Sequence, residues 1–462
     1  MEIINTINDW LWSYLLIGML LIWAIYFTVR TRGVQFRMIP EMVRLLIESG
    51  QKHDDPRDTH VHKVSSFQAF AVSIASRVGT GNMAGVATAI AIGGPGAVFW
   101  MWLIALLGSA NAFVESTLAQ LFKVRDEVSF RGGPAYYIQM GIGKRWWAVT
   151  FAVLITVTFG FAFNSVQSNT ISQSLSAYGV EPLWVAIPLT ILSVMVIWGG
   201  IHRISKFSEI VVPIMAILYL VLALVVICLN ITGLPAVFKL VFESAFDLDA
   251  GLGGLFGGAV MMGIKRGLFS NEAGEGSAPN VAATASVSHP VKQGLIQTLG
   301  VFTDTLLICS CTAFIILFGG HLGSEANGIA LTQVSLDSEL GRGLGSLFVS
   351  IAIFFFAFTS IVANYYYGET NLKFITPKPW VITVYRLMVG GMVFIGAIST
   401  LDFVWAFADI TMGLMTACNL AALAVLGKYA VILLKDYQNQ RLKGYDPIYR
   451  RSTLPKLNTP CW

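Results

Sequence analysis

A peptide group inside a lipid bilayer has no water to bond, so a segment that stays there must satisfy its own backbone. This chain carries many apolar runs of about the 20 residues that a helix needs to cross a hydrocarbon layer roughly 30 Å thick. They lie near 11–29, 67–92, 96–122, 147–177, 182–200, 209–230, 251–285, 295–319, 344–368, 380–400 and 403–434. With 55% hydrophobic residues, 12% charged residues and a mean hydropathy of +0.69, the composition lies far outside that of a soluble domain. The expectation is an all-α integral membrane protein with 11 transmembrane helices. Nothing at the start resembles a cleavable signal, because Met1 to Asp9 is mildly acidic and the first run is itself long enough to span.

Lysines and arginines orient such a chain, since short cytoplasmic loops carry the positive excess. With the N-terminus outside, Arg30, Arg32, Arg37, Arg44, Lys52, Arg57 and Lys63 all fall inside. The loops holding Lys123, Arg131, Lys144, Arg203, Lys292 and Lys373, and the basic tail, fall there too, whereas the outer loops hold only Lys239 and Arg342. An N-out, C-in arrangement follows. Residues 1–30 then form a peripheral first span and 31–66 a cytoplasmic loop. In that loop Gln35 to Gly50 mixes Met38, Ile39, Met42, Val43, Leu45, Leu46 and Ile47 with arginines, as a helix lying on the membrane surface does. Two sets of five spans remain, 67–232 and 233–434, followed by a basic cytoplasmic tail at 435–462. Five is odd, so consecutive five-helix units enter the membrane from opposite sides and any duplication is an inverted repeat.

Each unit opens on a span that its own residues interrupt. Gly79-Thr80-Gly81-Asn82 sits midway along the run 67–92, and Gly267-Leu268-Phe269-Ser270-Asn271 occupies the matching place in the second unit. Glycine costs about 1 kcal/mol relative to alanine in a helix interior, so both stretches invite unwinding. Paired interruptions of this kind are the best sequence pointer to a transporter's solute site. Amide groups at Gly79 to Asn82 open a half-helix whose positive dipole end suits a carboxylate. The carbonyls of Ala75 and Val78 point the other way and suit a small hard cation. Phe269, Ser270 and Asn271 would offer carbonyls and polar side chains to an ammonium group, completing the charge pattern of an amino-acid zwitterion. Near the end of the span 344–368, Thr359 and Ser360 either bond the preceding turn or join Ala75, Val78 and the Phe356 carbonyl around sodium. Gln167, on one face with Asn164, either glues two helices together or reaches the solute.

Each reading has a structural rival. Small residues also let membrane helices pack closely, which is all that Gly79 to Asn82 need imply. Lys265 and Arg266 precede Glu272 and Glu275, and pairing among these four would be structural; alternatively they serve as coupling charges. His53, His60 and His62 with Asp54, Asp55 and Asp58 read as a solvated loop in preference to a metal site, and no nucleophile–base pair marks an enzyme. Cys228, Cys309, Cys311, Cys418 and Cys461 lack metal-ligand spacing and read as reduced core residues. A net charge of only +4 gives no argument for nucleic acid.

Four long motifs carry a family likeness: Ser76-Arg77-Val78-Gly79-Thr80-Gly81-Asn82, Gly93-Gly94-Pro95-Gly96-Ala97-Val98-Phe99-Trp100-Met101-Trp102, Phe130-Arg131-Gly132-Gly133-Pro134-Ala135-Tyr136-Tyr137 and Arg266-Gly267-Leu268-Phe269-Ser270-Asn271-Glu272-Ala273-Gly274. Through these, nearly the whole chain resembles the alanine or glycine:cation symporter family. The resemblance implies a leucine-transporter-like 5+5 core with one extra N-terminal helix, in a prokaryotic inner membrane. It also implies sodium-driven import of small neutral amino acids by alternating access, with Na+ as coupling ion, no cofactor and no obligate protein partner. Gly79, Thr80, Gly81 and Asn82 would take the substrate carboxylate, and Phe269, Ser270 and Asn271 its amine end. Ala75, Val78, Phe356, Thr359 and Ser360 match the sodium site of the wider fold. Two residues depart from the pattern. Glu275 stands where many relatives have methionine and opens a proton-coupled alternative, while Asn364 replaces a tryptophan of some alanine- and glycine-selective members and points toward glutamine. A membrane amino-acid sensor signalling through the tail is the distant alternative.

Overall fold

A computed structural model of the protein describes residues 2–49, 64–126, 130–246, 255–341 and 343–462. The loop histidines and aspartates at 53–62, like Arg342, lie outside the described residues. The described chain is helical apart from a short antiparallel pair, Val124–Arg125 with Phe130–Arg131. Among the described residues, eight helices are long and apolar enough to cross a membrane. These are α1 (Thr6–Arg30), α2 (Ala97–Leu121), α3 (Arg145–Ser176), α4 (Ile210–Leu229), α5 (Pro290–Gly319), α6 (Leu344–Ile375), α7 (Pro379–Ile398) and α8 (Leu401–Leu442). Pro182–Ile197 is a shorter apolar helix between α3 and α4.

Two further helices are interrupted. The first starts with a capping box, in which Ser65 accepts from the Gln68 amide while Gln68 accepts from the Ser65 amide, and runs over Ser66–Arg77. Val78 is extended, and the chain re-enters a helix through a wide π-helical turn at Gly81–Gly85 that continues as Val86–Gly93. The second runs unbroken over Leu255–Asn271, loses its winding at 272–277 and resumes at Ala278–Ala282. The interruption therefore falls just after the expected Gly267 to Asn271. Positive φ values at Glu272, Gly274 and Gly276 make the turn; the two glycines reach them without a Cβ penalty, whereas Glu272 adopts its value despite one.

Gly267 has a different task. It lies four residues from Gly263 on one helix face, and both rest against α2. A Cβ on Gly263 would collide with the Ala97 carbonyl and lie 2.6 Å from Trp100 Cβ, whereas one on Gly267 would lie 2.9 Å from the Ile104 methyl. This is a small-residue seam that lets two helices approach, the packing role that glycine also plays in membranes.

The amphipathic segment forms a helix over Ile39–Ser49, burying Met42 and Leu45 while Val43 and Ile47 face outward. Glu41 ties it to Arg441 near the end of α8. Asn169 of α3 donates to the Gly396 and Ser399 carbonyls at the end of α7, so the polar band of α3 serves partly as interhelical glue. The tail beyond α8 folds back onto the molecule, with the Tyr449 amide on the Ser288 carbonyl and the Trp462 indole on the Gln120 carbonyl.

Because backbone cannot yield as a methyl can, Gly263→Ala should destabilise by about 1–3 kcal/mol and Gly267→Ala by less. Thermal unfolding of the detergent-solubilised variants checks the order; equal losses would contradict the seam.

Candidate functional site

The Ser360 hydroxyl lies 2.8 Å from the Ala75 carbonyl oxygen, 3.4 Å from that of Val78 and 3.0 Å from that of Phe356. Thr359 Oγ1 is 2.9 Å from the same Phe356 oxygen. Both hydroxyls bond the preceding turn of α6, and Ser360 also reaches the carbonyls released by the first break. Glycine makes this possible, because a Cβ on Gly79 would collide with Ser360 Oγ. The result is a buried cluster of uncharged oxygens from two elements, Ala75, Val78, Phe356, Thr359 and Ser360. Hard cations take oxygen ligands of this kind.

Beyond Val78 the released amides find side chains. Asn82 Oδ1 accepts from the Gly79 amide at 2.9 Å, and Gln167 Oε1 accepts from both the Thr80 amide at 3.0 Å and the Thr80 hydroxyl at 2.7 Å. Gln167 thus faces the break. Its carbonyl stands where a carboxylate oxygen would stand at the opening of a half-helix. Gly81 lets the two broken helices touch, since a Cβ there would lie 3.0 Å from both Phe269 Cδ1 and Ser270 Cα.

Asp304 on α5 joins the same two elements. Its Oδ1 accepts from Asn82 Nδ2 at 2.7 Å, and its Oδ2 accepts from Ser270 Oγ at 2.8 Å and Thr305 Oγ1 at 2.9 Å. Cys309 Sγ lies beside both Asn82 and Ser270. The sequence reading passed over Asp304, although an acid inside an apolar run is itself a signal.

Glu115 on α2 was passed over in the same way. Its carboxylate accepts from the Gly274 and Gly276 amides, each at 3.1 Å, and from Asn419 Nδ2 at 2.9 Å. Glu272 accepts from Ser76 at 2.6 Å and Ser277 at 2.5 Å. Asn271 Oδ1 accepts from the Ala273 amide at 3.0 Å, so it caps the unwinding chain. Asn364 lies behind the first break, with Oδ1 2.9 Å from Ser76 Oγ. Glu275 is fully buried, and among the described residues neither of its carboxylate oxygens has a hydrogen-bond partner.

Lys265 and Arg266 pair with neither glutamate. Arg266 makes a two-pronged bond to Asp409 of α8 at 3.0 and 2.9 Å, and Lys265 Nζ lies 2.8 Å from Asp409 Oδ2. Both basic residues precede the break on intact helix, which aims them at α8, whereas Glu272 and Glu275 lie beyond it. The Arg266 guanidinium stacks on Trp405 at 4.0 Å, Trp405 packs on Phe269 at 4.7 Å and Phe269 on Phe163 at 4.4 Å. An aromatic column therefore runs from the ion pair down to the meeting point of the breaks.

A family model described as "Sodium:alanine symporter family" matches residues 1–451. The chain is 50% identical over 464 residues to the "probable sodium/glutamine symporter GlnT" of Bacillus subtilis, covering 100% of this chain and 96% of that relative. It is 40% identical over 421 residues to the "sodium/proton-dependent alanine carrier protein" of Bacillus sp. PS3, covering 86% and 94%. Among solved structures, MhsT in complex with L-phenylalanine superposes with a TM-score of 0.59 at 16% identity, over 82% of this chain and 97% of that one. That likeness shows the shared fold, the leucine-transporter type.

Asp409→Ala should leave two buried cations without a partner and cost about 3–5 kcal/mol. A fall in the unfolding temperature that Lys265→Met in the same chain partly reverses is the expected result, and an unchanged temperature would sink the assignment.

Proposed function

The chain belongs to the sodium:alanine symporter family, and from that premise we propose that it is a sodium-coupled symporter importing a small neutral amino acid. The observation that carries the reading is the set of oxygens gathered around Ser360 at the edge of the first break. Sodium, as co-substrate, would bind among Ala75, Val78, Phe356, Thr359 and Ser360. It would fix the first broken helix against α6 and so set the Thr80 amide and hydroxyl for the amino acid's carboxylate. Gly79, Gly81 and Asn82 complete that end. Carbonyls at the close of Leu255–Asn271, with Phe269, Ser270 and Asn271, would receive the ammonium group, since a helix C-terminus carries negative dipole charge. Asp304 positions both ends by holding Asn82 and Ser270 together.

The wider architecture fits a 5+5 inverted repeat over 67–232 and 233–434, behind the peripheral first span at 1–30. The eight long helices, Pro182–Ile197 and the two broken helices supply 11 crossings, with an N-out, C-in orientation in a prokaryotic inner membrane. The solute is alanine, glycine or glutamine. Asn364, small and polar beside the first break, favours glutamine, the solute named for GlnT. The chain is accordingly a carrier and not an enzyme, with Na+ and the amino acid as its only required partners.

Ion and solute that share a closed state raise each other's affinity by the same factor. Thr359→Ala and Ser360→Ala should therefore raise the sodium concentration for half-maximal uptake into proteoliposomes by about tenfold, roughly 1.4 kcal/mol, while leaving the order of preference among alanine, glycine, serine and glutamine unchanged. Uptake indifferent to replacement of sodium by potassium would refute the reading.

A further inference from the structure

A second arrangement of polar groups sits far from the solute site, where the tail meets the molecule. Asp446 pairs with Lys292 at 2.7 Å, the Ser288 hydroxyl donates to the Pro447 carbonyl at 2.9 Å and the Tyr449 amide donates to the Ser288 carbonyl at 2.9 Å. Ile448 exchanges two hydrogen bonds with the Gln440 side chain. At its far end Trp462 bonds the Gln120 carbonyl and packs on the Lys123 ammonium, 4.8 Å from the ring centre. Gln120 and Lys123 both donate onward to the Ala285 carbonyl, at 2.9 and 3.1 Å. Ala285 bridges Val64, and the Ser286 amide bonds the Val64 carbonyl at 3.1 Å. Val64 immediately precedes Ser65, the cap of the first broken helix. A continuous run of contacts thus joins the tail to the entrance of the half-helix Ser66–Arg77.

His289 pins the centre of this run. Its Nδ1 accepts from the Val291 amide at 3.2 Å, so Nε2 carries the proton and faces Asp436 Oδ2 at 3.2 Å. The rings of Tyr437 and Tyr449 meet it edge to face. The charged groups around it are Asp436 from α8, Lys292 from its own segment and Asp446 from the tail, with Arg450 beyond Asp436. A protonated imidazole has two donors and no acceptor. Protonation would therefore turn Nδ1 against the Val291 amide and break the cap at the start of α5.

We propose that residues 443–462 form a strap that holds the entrance of the first broken helix shut, and that His289 releases it when the tail side of the membrane acidifies. Burial holds the imidazole below its ordinary value of 6.5, against the pull of Asp436. The sign follows by linkage: the strapped form binds fewer protons than the released form, so strapping is complete above about pH 6.5 and weakens as pH falls below it. The strap rests on the reading that this entrance must open for release of the amino acid, and its test does not depend on transport.

Hydrogen exchange on the full chain in nanodiscs, corrected for intrinsic rates, reads both ends of the device. Between pH 7.5 and 5.5 the protection of 443–462 and of 64–77 should fall together by about fivefold, the factor one ordinary neutral hydrogen bond is worth. His289→Gln should remove that pH dependence, and Trp462→Ala should lower protection at 64–77 at both pH values. Equal wild-type protection at the two pH values would overturn the proposal, as would a tail that opens in Trp462→Ala while 64–77 stays protected. The wild-type and Trp462→Ala results decide even if His289→Gln does not fold. Sodium-independent uptake by the same protein reconstituted into proteoliposomes would defeat the symport reading and leave the strap standing.

Discussion

Unwound backbone at bilayer depth is tolerated only where protein or a wet cavity takes over its hydrogen bonds, and this requirement organises the molecule. At the first break the partners are neutral: Asn82 for the Gly79 amide, Gln167 for Thr80, and Ser360 for the carbonyls of Ala75 and Val78. At the second break carboxylates do the holding, with Glu115 on two amides and Glu272 on two hydroxyls. The helices α2, α3 and α6 each deliver one of these side chains, and α5 adds Asp304, which holds Asn82 and Ser270. Gly79 and Gly81 are the complement on the broken helix, clearing the space into which Ser360, Phe269 and Ser270 fit.

The polar contacts also tie the oxygen cluster at Ser360, the first break and the second break into one body. Ser360 grips the chain seven and four residues before Asn82, at Ala75 and Val78. Asn82 is held by Asp304, and Asp304 holds Ser270. A cation that tightened the Ala75 and Val78 carbonyls would act on the segment carrying Thr80 and Asn82. From there it would reach the second broken helix through a single carboxylate. Ser76 makes a parallel link, donating to Glu272 beside Asn364.

Much of this was legible in one dimension, and the failures have identifiable causes. Apolar runs, the first break and the Thr359-Ser360 pair were readable because each is a local departure from a strong background. Glycine was read correctly at Gly79 and misplaced at Gly267, because a glycine in an apolar run signals unwinding and close packing equally. Only the partner decides, and Ala97 and Ile104 on α2 are more than 150 residues away. A separation of 143 residues likewise hid Asp409 as the partner of Arg266 and its neighbour Lys265, since spacing along a helix favours near neighbours and says nothing of α8. Glu115 and Asp304 were different, being single acids in otherwise apolar spans. Charge placement alone could have found them, without any knowledge of what they hold.

The contrast between the breaks follows from what each must do. Glu115 accepts from the Gly274 and Gly276 amides at once, so one side chain of α2 holds the chain at the second break unwound. The first break cannot be held so firmly if its groups are to exchange partners with a passing ion and solute. Neutral amide and hydroxyl bonds, each worth about 1 kcal/mol net, suit that exchange. Gln167 is the clearest case, because its carbonyl already occupies the Thr80 donors that a carboxylate would claim. A carboxylate arriving there replaces a neutral acceptor with a charged one, and the gain is the difference between the two bonds. At the proposed solute site, that modest difference would favour a carboxylate and still let it leave, which a carrier needs and a permanent anchor does not.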